Sequence, residues 1–250
     1  MKVFTCAPEW EAMLTTIYDA WSSGAGHKNI RLLTEPVGQT SIFDEYIHVD
    51  ADSKKAEKVI DAINIKISQE VYTELAFTAC SDEEDALDNI YRVLLLGFAK
   101  GRDVLDMVQY RDIMRNYEIR SRVKKDGDRF RELLRFHLVG DTYVAHFEPR
   151  CRVCEYLGFI FQDRMPSENF LIIDDVHCEA AIHKKDSGII MMKMSREEVK
   201  ASLRSEEEND EFTDMWRLFF NTIAIKEREN LKLQTQMFPK WARAHAVEFM

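Results

Sequence analysis

Residues 132–149, ELLRFHLVGDTYVAHFEP, decide how this chain is read. Upstream, apolar residues recur at steps of three and four; here they alternate, which is the spacing of a strand rather than a helix. Gly140-Asp141 sits at the centre as a two-residue turn of the kind that wants Gly first. That turn sets the register: Val139 opposite Thr142, Leu138 opposite Tyr143, Phe136 opposite Ala145 and Leu134 opposite Phe147. One face then carries Leu134, Phe136, Leu138, Tyr143, Ala145 and Phe147 and is expected to meet the core. The other carries Arg135, His137, His146 and Glu148 and is expected to face solvent. A hairpin set among helices predicts an α+β fold, helix-rich, with helices packed on a small, mainly antiparallel sheet.

Working outward, VFTCA reads as an opening strand, followed by a helix through EWEAMLTTIYDAW that stops at SSGAG. SIFDEYIHVD reads as a strand. Residues 52–67 form an amphipathic helix with Ala56, Val59, Ile60, Ile63 and Ile67 on one stripe. Residues 81–101 open on a capping box, Ser81 with Glu84, and close at Gly101. A basic helix is expected from about residue 103 to 125. Beyond the hairpin come a helix in RCRVCEYLGFIFQDR, a second β segment over 169–194 with a turn near 185–188, and two closing helices. The first of these starts on the capping box Ser195 with Glu198. We read residues 1–250 as a single domain, divisible into a helical lobe 1–128 and an α+β lobe 129–250.

A chain of 250 residues with 46% hydrophobic and 31% charged residues can bury a sizeable core. Its densest apolar run, VLLLGFA, is too short to span a bilayer, and MKVFTCAPEWE lacks a signal-peptide pattern. No membrane partner and a cytoplasmic location are the expectation, and five cysteines in poor disulfide spacing point to free thiols. The net charge of −10 is unevenly placed. Residues 111–135 hold 9 Lys/Arg against 5 Asp/Glu, and residues 226–250 hold 5 against 3, which suits a confined phosphate-facing surface as well as it suits solvated helix faces.

Four groups of residues are candidates for chemistry. In the terminal stretch, Trp216, Phe219, Phe220 and Ile223 mark a core-facing stripe. Continued at the same spacing, it reaches Glu227, Asn230 and Gln234, so the row turns polar within one turn and must meet partners or a wet pocket. Arg228 and Lys232 lie one turn apart on an adjacent face. After Pro239, Lys240, Trp241 and Arg243 form a cation-flanked aromatic of the kind that stacks on a base. Next, His177, Glu179 and His183 repeat as H-x-E-x-x-x-H; sharing one sheet face with His137 and His146, they could hold a divalent ion or form an acid–base pair, although strand histidines on a solvated face are commoner. Cys151 and Cys154 form a C-x-x-C without a second pair, so a structural pair of thiols is expected rather than zinc. Asp174, ending the apolar run FLII, is a weak catalytic candidate. Phosphate-cradling Gly loops, G-x-S-x-G and H-E-x-x-H are missing, so no metal, no cofactor and no catalytic residue is assigned from motifs.

Trp216, Arg217, Phe219, Phe220, Ile223, Ile225, Arg228, Asn230, Gln234, Pro239 and Trp241, with Arg135-Phe136, Tyr143, Ala145 and Pro149, and with Phe161, Arg164, Pro166 and Asp174, form a pattern. It resembles a bacterial family of unknown biochemical function assigned to DNA repair and DNA metabolism. Members of that family stand alone beside a radical-SAM protein or are fused to uracil-DNA glycosylase-like domains. The likeness extends thinly over most of the chain and departs at Ile160-Phe161, where the family pattern has His-Phe. The resemblance implies an accessory protein that binds DNA or a DNA-processing enzyme, such as a radical-SAM partner, through Arg135, Arg228, Asn230, Gln234, Lys240 and Trp241. A metal-assisted hydrolase or nuclease using Asp174 and the strand histidines is the alternative. A pure interaction module for the radical-SAM protein, docked through the acidic run 206–211, is the third.

Overall fold

The computed structural model describes residues 1–205, 211–223, 225 and 230–246. The chain divides into two compact units, residues 1–123 and 124–250.

The first unit begins with a three-stranded parallel sheet. Strand β1 (Lys2–Cys6) is central, flanked by β2 (Ile30–Thr34) and β3 (Glu45–His48). Parallel neighbours require crossovers, and α1 (Trp10–Ser22) supplies the first. Helices α2 (Ser53–Lys66), α3 (Gln69–Thr78) and α4 (Ala86–Lys100) follow. Of the expected stripe of α2, Ala56, Val59, Ile63 and Ile67 are each under 10% exposed, and Ile60 is half-buried against the same core. Asp52 caps that helix by accepting the N–H groups of Lys54 and Lys55. The capping box expected at Ser81 does not form. Its hydroxyl accepts the Glu83 N–H in a local turn, and α4 starts later, at Ala86. The competing turn won because a Ser side chain reaches the amide two residues on as readily as three. Strand β2 and helix α3 have no counterpart in the sequence reading.

Helix α5 (Arg111–Leu133) starts in the first unit and ends in the second. Its basic excess is met by carboxylates: Arg115 pairs with Glu83 and Asp85, Arg120 with Glu74, and Arg122 with Glu83.

The second unit holds a five-stranded mixed sheet in the order β4-β5-β6-β7-β8. Its strands are β4 (His137–Val139), β5 (Thr142–Phe147), β6 (Asn169–Asp174), β7 (Glu179–His183) and β8 (Ile189–Lys193). Next to the turn the hairpin register is the expected one, with Val139 opposite Thr142, Leu138 opposite Tyr143, and Gly140 at a φ of 64° that glycine adopts without strain. The ladder stops at His137, so the expected pairs of Phe136 and Leu134 do not form, and Leu138 is exposed rather than core-facing. Strands β5 and β6 run parallel, joined by the crossover helix α6 (Cys154–Arg164). That helix covers one face of the sheet. Helix α6 packs so closely that a Cβ on Gly158 would stand 2.9 Å from that of Ala181. Across the sheet, Val199 of α7 (Arg196–Ser205) packs with Val144, Ile173 and Ala180. The capping box of α7 forms in full: Ser195 Oγ accepts the Glu198 N–H at 3.2 Å, while the Glu198 carboxylate accepts the Ser195 N–H at 2.7 Å.

Helix α8 (Glu211–Ile223) ends where its apolar stripe ends, and a separate short helix, α9 (Leu231–Met237), follows before a 3₁₀ turn at Lys240–Arg243. Among the described residues no helix is long and apolar enough to cross a membrane.

Candidate functional site

Register places the chemistry at one end of β6. Paired residues share a face, so the links Phe147–Asp174 and Asp174–Glu179 put Asp174 and Glu179 on the side of α6. Asp175 continues the pairing by donating its N–H to the Phe147 carbonyl at 3.0 Å. Successive residues of an extended chain point to opposite sides. The two consecutive carboxylates therefore serve opposite faces of the sheet.

On the α6 side Asp174 is fully buried. Its Oδ1 accepts the N–H groups of Val176 and His177, both at 2.9 Å, and its Oδ2 lies 2.7 Å from His177 Nδ1. Glu179 stands opposite, 3.3 Å from an Arg152 guanidinium nitrogen. Asp174, His177 and Glu179 each offer a ligand atom within 4.8 Å of the others. Burial pushes the Glu179 carboxyl up, the Asp174 charge adds to that, and Arg152 and His177 oppose it. This cluster is internally satisfied: its carboxylates already have donors. Below it, Cys154 directs its thiol at the Ile172 carbonyl, 3.4 Å away. Burial, reinforced by Glu179 and Asp174, drives that thiol well above its ordinary range, so it stays protonated and unreactive. Cys151 and Cys154 are both buried and form no disulfide.

On the α7 side Asp175 gathers two imidazoles. Its Oδ1 is 2.6 Å from His146 Nδ1, and the other ring nitrogen of His146 is 3.2 Å from the hydroxyl of Ser202 on α7. Its Oδ2 is 2.9 Å from His245 Nε2, and Glu148 reaches the same nitrogen at 3.9 Å. Burial would raise the Asp175 carboxyl, but the contacts with His146 and His245 outweigh it and hold the group below the usual carboxylate range. An ionised carboxylate that orients imidazoles can serve a base, a metal or a buried network.

The solvated face expected for the hairpin holds at Glu148, which is exposed, but not at His146. His146 is 2% exposed, because α7 covers the face of the sheet opposite the crossover helix α6. Nor do the histidines share a surface: His146 faces α7, while Glu179 and His183 face α6. His183 is buried, 2.9 Å from the Glu168 carbonyl and stacked on Phe170. Arg135 is not the cross-strand partner of His146, since it precedes β4 in an irregular stretch. There it bonds the Glu132 and Leu134 carbonyls and lies 5.6 Å over the ring of Trp216.

The continuous terminal helix was also not found: α8 stops at Ile223, and Ile225 and Asn230 are non-helical. Its stripe is not core-facing, with Trp216 39%, Phe219 52% and Ile223 56% exposed. Asn230 is exposed and caps α9 by accepting the Leu233 N–H at 3.0 Å, while Gln234 is half-buried in that helix. Glu227, Arg228 and the acidic run at 206–210 lie outside the described residues. Lys240 is exposed, and Trp241 is half-buried with the Arg150 and Arg129 guanidinium groups 4.5 and 5.0 Å from its ring and Phe130 against its edge. Hydrogen bonds among the described residues do not join Arg135 to Asn230, Gln234, Lys240 or Trp241.

Sequence reasoning passed over Asp175, Ser202 and His245. The Asp-Asp pair was visible, but nothing in ARAHA marks His245, which enters only because the tail returns to the sheet.

The fold and site define an α+β protein with acid–histidine clusters on either side of one strand end. A family described as a domain of unknown function, DUF4130, matches residues 84–248, about two thirds of the chain. The chain belongs to this family. No curated protein matches it.

Proposed function

We propose that the chain is a DNA-metabolism accessory protein that engages nucleic acid, or an enzyme working on it, through its C-terminal unit. The observation that supports this reading best is the pairing of aromatics with arginine there: Arg135 over Trp216, and Arg129 and Arg150 around Trp241. Arginine neutralises phosphate, and an aromatic face offers a base a surface to stack on. Arg135, Arg228, Asn230, Gln234, Lys240 and Trp241 remain the assigned surface. The exposed apolar residues of α8, Met215, Leu218 and Phe219 among them, suit a protein partner such as a radical-SAM enzyme.

The test is fluorescence anisotropy with labelled single- and double-stranded DNA. Three to four neutralised phosphates predict a loss of roughly 40- to 150-fold in affinity between about 50 and 200 mM salt. Arg135→Ala and Arg228→Ala should each lower the salt slope by about one. Absence of binding at the low-salt end, together with no co-purifying radical-SAM partner, overturns the reading.

A second reading, a metal-assisted hydrolase or nuclease, is favoured by the convergence of Asp174, His177 and Glu179. The carboxylates would hold the ion, with His177 as ligand or base. Its test is cleavage of an activated phosphodiester with added Mn²⁺: activity lost in Asp174→Asn supports it, and metal-independent inertness removes it.

A further inference from the structure

We infer that Glu148, Asp175 and His245 form a binding site for one divalent transition-metal ion, separate from the Asp174 cluster. Three observations converge on it.

First, the donors are already gathered. One atom from each residue lies within 4.8 Å of the others. His245 Nε2 is 2.9 Å from Asp175 Oδ2 and 3.9 Å from a Glu148 oxygen. Metal–ligand bonds of about 2.0–2.2 Å place donor pairs roughly 3 to 4 Å apart, so an ion can enter with little rearrangement.

Second, two of these atoms are in need of a partner. Asp175 Oδ2 and His245 Nε2 are both shut off from solvent, and neither completes a hydrogen bond. They stand at ion-pair distance without hydrogen-bond alignment. A ring nitrogen and a carboxylate oxygen held that close are bridged either by a proton or by a metal ion, and the misaligned geometry suits the metal. Buried polar atoms left without partners are rare in folded proteins, and each such atom needs an explanation. The Asp174 cluster has no such atoms.

Third, the site has room and support. A cavity of about 10 Å³ opens beside it, lined by His146, Phe147, Glu148, Trp241 and His245, enough for one water-sized occupant. Asp175 spends its other oxygen on His146, which is fixed in turn by Ser202. That is the outer hydrogen bonding that orients metal-binding side chains.

One imidazole with two carboxylates is a donor set for Zn²⁺, Mn²⁺ or Co²⁺ rather than for Ca²⁺ or Mg²⁺, which favour oxygen alone. Three protein ligands leave a coordination position open toward the exposed Glu148 side. The ion would also fasten the tail bearing Trp241 to the sheet.

The experiment uses the full chain stripped with chelator. Zn²⁺ is titrated by calorimetry, and Co²⁺ is followed by its visible absorption, which reports ligand geometry. One equivalent should bind, with affinity falling at least ten-fold in His245→Ala and in Glu148→Gln, and unchanged in Glu155→Gln, an exposed carboxylate of α6. Glu148 is exposed, so its variant keeps the fold if His245→Ala does not. No binding, or binding indifferent to both ligand variants, overturns the assignment.

Discussion

Replacing Trp241 with alanine separates two jobs the same side chain could hold. The ring packs edge-on to Phe130 at a centroid distance of 6.1 Å and lies under Arg150 and Arg129. Truncating a fully buried Trp costs about 3–5 kcal/mol; a half-buried ring keeps about half of that, near 2. The aromatic pair adds about 0.5–1.5 kcal/mol. Two solvent-flanked cation–π contacts add about 0.5–1 kcal/mol each. Some of these terms overlap, so Trp241→Ala should destabilise the second unit by about 3 kcal/mol, and Trp241→Phe by about 1 kcal/mol. Urea unfolding followed by circular dichroism measures this without relying on the fluorescence being removed. A loss below about 0.5 kcal/mol would refute the packing reasoning. Combined with weaker DNA binding, it would mean that the ring is free to stack on a base rather than engaged in pinning the tail.

Ser195→Ala removes the reciprocal cap of α7 and should cost about 1 kcal/mol, restored in Ser195→Asp and read from the urea midpoint. Gly158→Ala forces a methyl against Ala181, a strand residue with little freedom to move, and should cost about 1–3 kcal/mol; unchanged stability would show that α6 can slide. Asp175 has a folded pKa below its unfolded value near 3.9, so its contribution is present above about pH 4 and disappears as pH falls through the lower folded value. Asp175→Asn should therefore be less stable than the parent near pH 6, the gap closing in strong acid; a gap constant with pH would count against a charge-based role.

Part of the site was legible in the sequence and part was not, for reasons that differ residue by residue. Gly140-Asp141 set the hairpin register because the turn is local, and Ser195 announced a helix start because its cap spans three residues. The Asp174 cluster was partly visible, since His177 and Glu179 follow Asp174 within a single turn. His146 was misplaced to solvent because alternation alone assumes a two-sided antiparallel ribbon. Helix α7 covers the side that His146 occupies, and its Ser202 lies 56 residues further on. The terminal helix was read too long because a stripe of apolar residues gives spacing but not burial; α8 leaves that stripe exposed.

Taken alone, the sequence determined what short-range physics controls: the α+β class, the hairpin register, the stripe of α2, the free thiols and the cap of α7. Periodicity, turn chemistry and capping act across a few residues, so a linear reading recovers them. Only the tertiary structure decided which face each histidine occupies, that Asp174 and Asp175 serve opposite sides, and that His245 meets Asp175 across 70 residues of chain. Those outcomes follow from strand order and from where the tail returns. Long-range packing selects both, and no local pattern encodes them.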